Sequence, residues 1–251
     1  MISRRGLVGG ISATAGGLLV AGCDRLTESP GFRRTLRLGE KLTHRAQRLL
    51  IDRTALAHEY RSDQRSPIFR ANGTRQPVGN AYAGHAATGF ADWRLTIDGL
   101  VARPLVLSMA QIRAMPQRTQ ITRHDCVEGW SAIGQWTGVP LKLLLDHAGT
   151  REAARYAVFH CADNYGPTAY YESIDLVDAL HPQTIMAWAL NGQILPIAHG
   201  APLRLRVERM LGYKHAKYVE RIELVDSLDR IGGGRGGYWE DSNDYEWYAG
   251  I

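Results

Sequence analysis

Cysteine is scarce in this sequence, with only Cys23, Cys126 and Cys161 among 251 residues. So small and odd a number excludes a framework of disulfides. It also excludes an iron–sulfur cluster held by several cysteines, and there is no Cys-x-x-Cys-His motif for covalent haem. Each cysteine therefore needs an explanation of its own, either as a functional group or as a small core residue.

Several cofactor and partner motifs are also missing. No glycine fingerprint for NAD or flavin is present, and the glycine run at 232–237 lacks the Lys-Ser/Thr of a phosphate loop, so it predicts a flexible linker. The net charge of +5, from 30 basic and 25 acidic residues, does not come from one basic run. Nucleic acid is therefore not an expected partner. The 45% hydrophobic and 22% charged residues are typical of a globular protein.

The first residues predict an export signal. Arg4 and Arg5 precede an uncharged stretch that runs to Gly22, the pattern of twin-arginine signals that send folded proteins to the periplasm. The sequence ending Ala-Gly-Cys23 resembles a lipoprotein cleavage box, which implies a lipid anchor on Cys23 at the inner-membrane surface. The alternative is an uncleaved membrane anchor, although a short, glycine-rich stretch is a poor spanning helix.

The mature chain divides into three further stretches. Residues 24–65 are predicted to be helical and linker sequence, 66–230 the folded domain, and 231–251 a glycine-rich linker and an aromatic tail that packs on the domain. Leucines at helical spacing predict an amphipathic helix over 33–60, packed on the domain in preference to lying on a membrane. Residues 62–90 are rich in Gly, Asn and Pro and predict an irregular segment.

Strands outnumber helices in the folded domain. Alternating apolar residues predict strands, turn signals such as Asn191-Gly192 predict a hairpin, and a capping box at Ser108 predicts a short helix. No βαβ rhythm is present, so the class is α+β, with mixed sheets and short helices. The predicted strands are near 93–97, 120–123, 156–161, 184–190, 193–195, 203–207 and 219–224, and the helices 108–115, 141–148 and 174–180.

The densest polar and aromatic cluster surrounds Cys126. The segment His124-Asp125-Cys126-Val127-Glu128-Gly129-Trp130-Ser131 follows a predicted strand, where a side chain can be presented into a pocket. A lone cysteine is more often an inert core residue, and His124 and Glu128 are equally compatible with a surface pair. The neighbours of Cys126 favour a functional cysteine.

Five ordered motifs between residues 66 and 226 carry a resemblance. Cys-Val-Glu-Gly-Trp-Ser at 126–131 looks like the molybdenum-ligand region of the sulfite oxidase superfamily. The similarity is greatest to its bacterial periplasmic branch, which includes the catalytic subunit of a methionine-sulfoxide reductase. The other motifs are Asp-Gly-Leu-Val at 98–101, Ala-Leu-His-Pro at 179–182, Leu-Pro through Arg at 195–204, and Gly-Tyr-Lys-His-Ala-Lys at 212–217.

The resemblance implies a mononuclear molybdenum–molybdopterin cofactor in a sulfite-oxidase-type domain. Cys126 would be the thiolate on molybdenum, a soft donor beside the two pterin sulfurs. Arg204 and Lys217 would hold the phosphate, and the backbone of His215 and Ala216 would complete that cradle. Without the motif, Arg204 could equally be the exposed face of a strand, and Lys217 a solvated side chain.

Further cofactor contacts follow from looser matches. His199 stands where the relative has asparagine, and Cys161 where it has threonine, so both are expected to line the cofactor. Cys161 is equally compatible with the core. Phe69 and Arg70 fall near the first cofactor-contacting stretch of the family.

Two residues are expected at the reaction centre besides Cys126. Glu128 is the expected proton relay, and Tyr245 resembles an active-site tyrosine of the relative. Gly129, Trp130 and Ser131 stand where sulfite-oxidising members carry substrate-binding arginines. The sequence therefore predicts two-electron oxygen-atom transfer, with reduction of an S-oxide or N-oxide favoured over sulfite oxidation.

The electron partner is expected to be a separate protein, a membrane cytochrome b or a periplasmic cytochrome c. Two alternatives remain from the sequence. One is a thiol-dependent enzyme with Cys126 as nucleophile and His124 or His160 as base. The other is a non-catalytic lipoprotein that kept the binding fold without redox activity.

Overall fold

Regular structure in the computed structural model, which describes residues 29–251, begins with one long helix, α1 (Pro30–Leu50). The Ser29 hydroxyl accepts a hydrogen bond from the Phe32 N–H, and a proline occupies the first turn, as helix N-termini favour. This helix was predicted to continue to residue 60. It ends earlier because the Asp52 carboxylate accepts a bond from the Thr54 N–H and turns the chain.

The chain forms two compact units, one that ends at Ile51 and one that extends from Asp52 to Ile251. The helix α1 forms the C-terminal part of the first unit. The second contains every strand of residues 29–251. None of the helices in this range has both the length and the apolar character that a membrane crossing requires.

Two five-stranded sheets form the second unit. The first has the order β2-β1-β10-β5-β6, in which β1 and β10 are parallel; the second has the order β3-β4-β7-β8, with β9 also paired to β7. The α+β class is confirmed. The strands are β1 (Arg94–Gly99), β2 (Leu105–Ser108), β3 (Arg118–Asp125), β4 (Ser131–Pro140), β5 (Tyr156–Tyr165), β6 (Thr168–Asp175), β7 (Ile185–Leu190), β8 (Gln193–Ile194), β9 (Arg204–Arg206) and β10 (Val219–Val225). The helices are α2 (Asn80–Ala87), α3 (Met109–Ala114), α4 (Leu141–Ala148), α5 (Leu176–Ala179) and α6 (Tyr238–Asn243).

The main apolar core draws on both sheets. Leu95 and Ile97 of β1 are buried, as their alternation predicted, and they belong to one cluster with the leucines of α4 and with Leu205 of β9. A smaller cluster around Trp136 covers the other face of the second sheet, with Phe69 packed against it. The second sheet is therefore buried on both faces, and β9 can present its arginines only into the protein.

The strand β6 departs from the sequence prediction. Ile174 was expected to open a helix, but it pairs with Ala157 as a strand residue, and only α5 is helical. Five consecutive β6 residues are buried, so the alternation that identifies a half-buried strand is absent. The burial comes from the chain end, since the Ser173 hydroxyl donates to the Gly236 carbonyl.

Residues outside the predicted domain limits of 66 and 230 also pack in this unit. Near its start, the Tyr60 N–H donates to the Ile121 carbonyl over 2.8 Å. Near its end, the Trp247 indole N–H donates to the Ser173 hydroxyl over 2.8 Å, and Lys214 pairs with Glu240 at 2.7 Å. The chain end thus lies against β6 and the turn before β10.

The close approach of β4 and β7 gives a stability prediction. A Cβ atom on Gly138 would collide with the Met186 carbonyl oxygen and lie 2.6 Å from the Ala187 Cα, both of them backbone atoms. We expect Gly138→Ala to lower the free energy of unfolding by about 2–3 kcal/mol, measured by denaturant titration. The matched control is Gly84→Ala in α2, where a Cβ meets nothing within 4 Å. We expect the control substitution to leave the free energy of unfolding unchanged or slightly higher. Equal losses in both variants would show that the collision at Gly138 is not the cause.

Candidate cofactor site

One cleft brings together five of the predicted site residues, Glu128, Arg204, His215, Lys217 and Tyr245. Its empty space, open mouth included, is about 700 Å³. It draws on distant parts of the second unit, from the irregular segment before α2 to the chain end. The cleft is lined by Asn72, Gly73, Val127, Glu128, Asp163, Tyr165, Tyr170, Arg204, Gly212, Tyr213, His215, Lys217, Trp239 and Tyr245.

Cys126 lies at the end of β3, beside this cleft. A tight turn follows it: the Gly129 N–H donates to the Cys126 carbonyl, and Gly129 has a φ of 84°, a conformation that glycine tolerates. The Asn72 side-chain amide donates to the Cys126 Sγ over 3.3 Å. Burial raises the pKa of the Cys126 thiol, so a metal cation bound there would supply the charge that favours the thiolate.

Arg204 and Arg206 on β9 provide an internal comparison. Both guanidinium groups lie over the Trp136 ring, at 5.0 Å and 4.4 Å from its centroid. Arg206 is neutralised by Glu208, which accepts two hydrogen bonds of 2.9 and 2.6 Å. Arg204 donates only to the backbone carbonyls of His199 and His215, and its buried Nε has no partner in residues 29–251. Arg204 is thus a buried cation without a carboxylate.

Lys217 repeats this pattern beside Arg204, since a Cβ atom on Gly200 would touch the side chains of both residues. Its ammonium donates to the carbonyls of Asn72 (2.7 Å), Ala198 (3.2 Å) and Thr74. Burial, with Arg204 nearby, lowers the pKa of Lys217 to about 7. Burial, with Arg206 nearby, lowers the pKa of Arg204 to about 9. Both shifts express the cost of two cations held close together away from water.

Asp163 is a carboxylate of the cleft whose charge acts on Lys217. It lines the cleft, but within the described part of the chain no ion pair of 4 Å or less joins it to Lys217 or Arg204. Burial raises the pKa of Asp163, which favours its neutral form. The cleft therefore retains an excess of positive charge, and an anionic group such as a phosphate would balance it.

Cofactor and residues fit each other in this cleft. Asn72 links the two ends, since its side chain donates to the Cys126 Sγ and its carbonyl accepts from Lys217. Lys217, which would hold a phosphate, and Cys126, which would hold a metal, thus contact the same residue. No group of three or more His, Cys, Asp or Glu side chains in residues 29–251 is arranged to hold a metal. A single thiolate suits a metal whose other donors come from its cofactor.

The turn before β10 differs in one respect from the expected cradle. The His215 N–H donates to the Gly212 carbonyl, and the Ala216 N–H to the Lys214 carbonyl. Both backbone donors are thus engaged within the turn. The side chain of His215 can still contact a cofactor. Its Nε2 hydrogen-bonds with the Met210 carbonyl, and its buried Nδ1 has no partner among the described residues and can accept a hydrogen bond.

His199 has a similar arrangement. Its Nε2 lies 3.0 Å from the Phe69 carbonyl, and its buried Nδ1 has no partner in the described part of the chain. Burial lowers the pKa of His199, so the ring is neutral and Nδ1 can accept a hydrogen bond. The ring packs against Phe69 at 6.1 Å, behind the cleft wall.

Glu128 and Tyr245 both line the cleft. The Glu128 carboxylate accepts a hydrogen bond of 3.0 Å from the Trp130 indole. Tyr245 comes from the chain end and packs edge-on against Tyr213 at 5.0 Å and parallel to Trp239 at 5.9 Å. The structure thus brings a carboxylate and an aromatic wall to the cleft that Cys126 adjoins.

Three predicted positions lie away from the cleft wall. Cys161 is buried in the main core, and its Sγ faces the Phe159 carbonyl at 3.8 Å. The register of β5 shifts between His160 and Asn164, and Asp163 lines the cleft while Cys161 belongs to the core. Arg70 is exposed and is not a cleft residue. Phe69 supports the wall from behind, edge-on to Trp136 at 5.1 Å.

Sequence reasoning missed several wall residues. Asn72 and Gly73 lie in the segment predicted only as irregular, and Asp163, Tyr165 and Tyr170 come from the β5–β6 hairpin. Lys214, to which sequence reasoning assigned no role, is fully buried between Glu172 (2.5 Å) and Glu240 (2.7 Å). The signal that could have indicated it was the excess of Tyr, Trp and Glu in the tail.

The lowered pKa of Lys217 gives a pH prediction. Between about pH 7 and the ordinary lysine value of 10.5, the unfolded chain holds a proton that the folded chain has released. The cofactor-free protein should therefore gain stability as pH rises from 7 to 9, by up to about 1.4 kcal/mol per pH unit. Lys217→Met should flatten this rise, whereas Lys142→Met, at an exposed lysine, should not. Denaturant titrations at several pH values test it; parallel curves for wild type and Lys217→Met would contradict the assignment.

Comparisons with known proteins agree with this geometry. A sequence profile of the oxidoreductase molybdopterin-binding domain matches residues 83–230. A protein of Azospira oryzae, provisionally named protein-methionine-sulfoxide reductase subunit YedZ1, is 37% identical over 244 residues, which cover 95% of this chain and 85% of the relative.

Two shorter matches are to catalytic subunits of protein-methionine-sulfoxide reductase, MsrP. Those of Gluconobacter oxydans and Ralstonia nicotianae are 36% and 34% identical, over 53% of this chain and 47% and 44% of their own. The match thus spans about half the length of these two relatives. The sulfane dehydrogenase SoxCD of Paracoccus pantotrophus is similar in fold, with a TM-score of 0.50 and 24% identity over 59% of this chain and 45% of that one.

Proposed function

This chain belongs to the oxidoreductase molybdopterin-binding family of the sulfite oxidase superfamily, and we propose that it reduces methionine sulfoxide in proteins. As a member of that family it is a molybdopterin-binding oxidoreductase. The substrate is inferred from the relatives, three of which are named as subunits of protein-methionine-sulfoxide reductases. The reaction takes two electrons and two protons and converts the sulfoxide to a thioether and water.

The observation that carries the proposal is the unbalanced positive charge beside Cys126. Arg204 and Lys217 are buried, donate only to carbonyls, and differ in this from Arg206 and Lys214, which have carboxylate partners. Placing cations away from water without counter-charge is costly unless a ligand supplies it. A phosphorylated cofactor at this place would do so.

Each of the cleft residues has a distinct role in the proposed reaction. Arg204 and Lys217 would hold the phosphate, and Cys126 would ligate the metal. When bound, the molybdenum cofactor would supply the two-electron oxygen-atom-transfer chemistry. Glu128, held by the Trp130 indole, is placed to deliver a proton to the departing oxygen.

The walls favour a neutral oxide over an anion. Near Cys126 the cleft presents the Glu128 carboxylate, and Trp130 stands where sulfite-oxidising relatives bind their substrate with arginine, so sulfite would be repelled. The rings of Tyr213, Trp239 and Tyr245 offer an apolar surface of the kind that sulfur-containing side chains contact favourably. A methionine sulfoxide side chain is neutral and fits both features.

The partner and location are part of the proposal. A membrane cytochrome b or a periplasmic cytochrome c would deliver the electrons, since the described cysteines, Cys126 and Cys161, do not form a second redox centre. The twin-arginine signal and Cys23, which lie outside the described residues, support export to the periplasm and a lipid anchor there.

A thiol-dependent enzyme finds little support in the geometry. His160 lies 2.9 Å from Glu223 on β10, and the Nδ1 of His124 lies 2.9 Å from an Arg206 nitrogen. Among the described residues, neither histidine is hydrogen-bonded to Cys126, whose polar partner is Asn72. Burial and Arg206 hold the pKa of His124 well below its usual value, so it is a weak base.

Metal content tests the ligand assignment. Protein made in a host competent for the cofactor should carry about one molybdenum and one pterin phosphorus per chain, because the family binds one mononuclear centre. Cys126→Ser should lose most of the metal, and Cys161→Ser, a core cysteine of the same kind, should retain it. Elemental analysis measures both. Metal-free wild-type protein from such a host, or equal loss in both variants, would contradict the proposal.

Turnover tests the substrate. With a reduced viologen dye as electron donor, the loaded enzyme should reduce methionine sulfoxide in an oxidised protein and oxidise sulfite poorly. Glu128→Gln should lower kcat by about 10²–10⁴-fold, the usual contribution of a positioned proton donor, with a small change in KM. Efficient sulfite oxidation, or full activity of Glu128→Gln, would contradict the proposed roles.

A further inference from the structure

The helix α1 has two chemically different sides. At 100° per residue, Leu38, Leu42, Leu49 and Leu50 fall within one third of the helical projection. The six lysine and arginine residues fall within another third, which begins about 20° from Leu38. The helix contains six basic residues and one glutamate, a net charge of +5 in 21 residues. An apolar stripe beside a strongly basic face is typical of helices that lie in a membrane interface.

The apolar side of α1 is exposed to solvent. The exposed fractions are 56% for Leu38, 64% for Leu42, 86% for Leu49 and 85% for Leu50. Four exposed leucines on one face of a helix mark an interaction surface. Lys41 and Arg45 on the basic side are exposed as well.

The charge identifies the surface that this helix fits. A protein groove for an apolar helix face does not require six cations, whereas an anionic bilayer attracts each lysine or arginine near its surface. The basic residues would remain at the headgroups while the leucines enter the acyl boundary. Because the cations interrupt the apolar sequence at every turn, α1 suits the membrane plane and does not cross it.

We propose that α1 is a membrane-surface anchor that binds anionic phospholipid through its basic side and inserts its leucine stripe. This inference rests on residues 30–50 alone and is independent of the reaction that the cleft catalyses. It supplies a second attachment beside a lipid on Cys23, in line with the finding that one acyl chain alone gives only reversible binding.

The test is vesicle flotation of the full chain carrying Cys23→Ser, so that no acyl group contributes. Binding should be at least about ten-fold stronger to vesicles of equal parts phosphatidylglycerol and phosphatidylcholine than to phosphatidylcholine alone, and should weaken with added salt. Hydrogen exchange of residues 30–50 should slow on the anionic vesicles. This readout separates α1 from the apolar segment before Gly22, which could bind either vesicle.

Matched variants separate the two sides of the helix. Leu38→Gln with Leu42→Gln removes apolar contact, and Lys41→Gln with Arg45→Gln removes charge, while glutamine preserves helix propensity. Each pair should weaken binding to anionic vesicles by about ten-fold or more. The control pair, Val106→Gln with Ile194→Gln, changes residues that are 62% and 65% exposed in the second unit and should leave binding unchanged.

Other outcomes would overturn the proposal. Equal binding to neutral and anionic vesicles, unchanged exchange in residues 30–50, or full binding by both helix variants would exclude α1 as the anchor. A dimer in sedimentation that Leu38→Gln with Leu42→Gln dissociates, without vesicle binding, would show that a second copy covers the stripe.

Discussion

The burial of Arg204 without a carboxylate is the constraint on which the site depends. Arginine remains charged when it is buried, so the protein must either neutralise it or reserve it for an anion. The strand β9 shows both solutions two residues apart, because Glu208 neutralises Arg206 and only carbonyls meet Arg204. The same contrast recurs in the following turn, where Lys214 has two glutamates and Lys217 has three carbonyls.

These two contrasts explain why elements from distant parts of the chain are required to build the cleft. Glu172 lies on β6 and Glu240 on α6, so neutralising Lys214 ties both elements to the turn that carries His215 and Lys217. The three charges are fully buried, and burial beside Glu240 raises the pKa of Glu172 well above its usual value. The pairing therefore holds the chain end in place, and with it the Trp239 and Tyr245 rings of the cleft wall.

Local sequence was enough for the parts of the site that lie on one motif. Cys126, Glu128, Arg204 and Lys217 were identified because each belongs to a short motif that resembles one of the sulfite oxidase superfamily. The α+β class followed from alternation in strands such as β1. Where a strand is covered on both sides, as β6 is by the chain end, alternation vanishes and Ile174 was misassigned to a helix.

Long-range contacts account for what the sequence did not disclose. Asn72 is 54 residues from Cys126, and the amide-to-sulfur bond between them exists only once the irregular segment lies across β3. Cys161 and Asp163 are two residues apart on β5, yet only Asp163 reaches the cleft, because the strand shifts register between His160 and Asn164. A bulge of this kind depends on the partner strand and cannot be inferred from the local sequence. Cys161 was therefore expected to line the cofactor, whereas it lies in the core.

The unneutralised charge of Arg204 also bears on when the cofactor should bind relative to folding. With no anion in the cleft, Arg204 and Lys217 repel each other and burial lowers the pKa of both. A ligand that binds only the folded state stabilises it in proportion to its affinity, and here it also removes that repulsion. Cofactor binding and closure of the chain end over the cleft should therefore support each other. A protein built this way would gain from receiving its cofactor before the proposed export, and a twin-arginine route for folded proteins would allow that order.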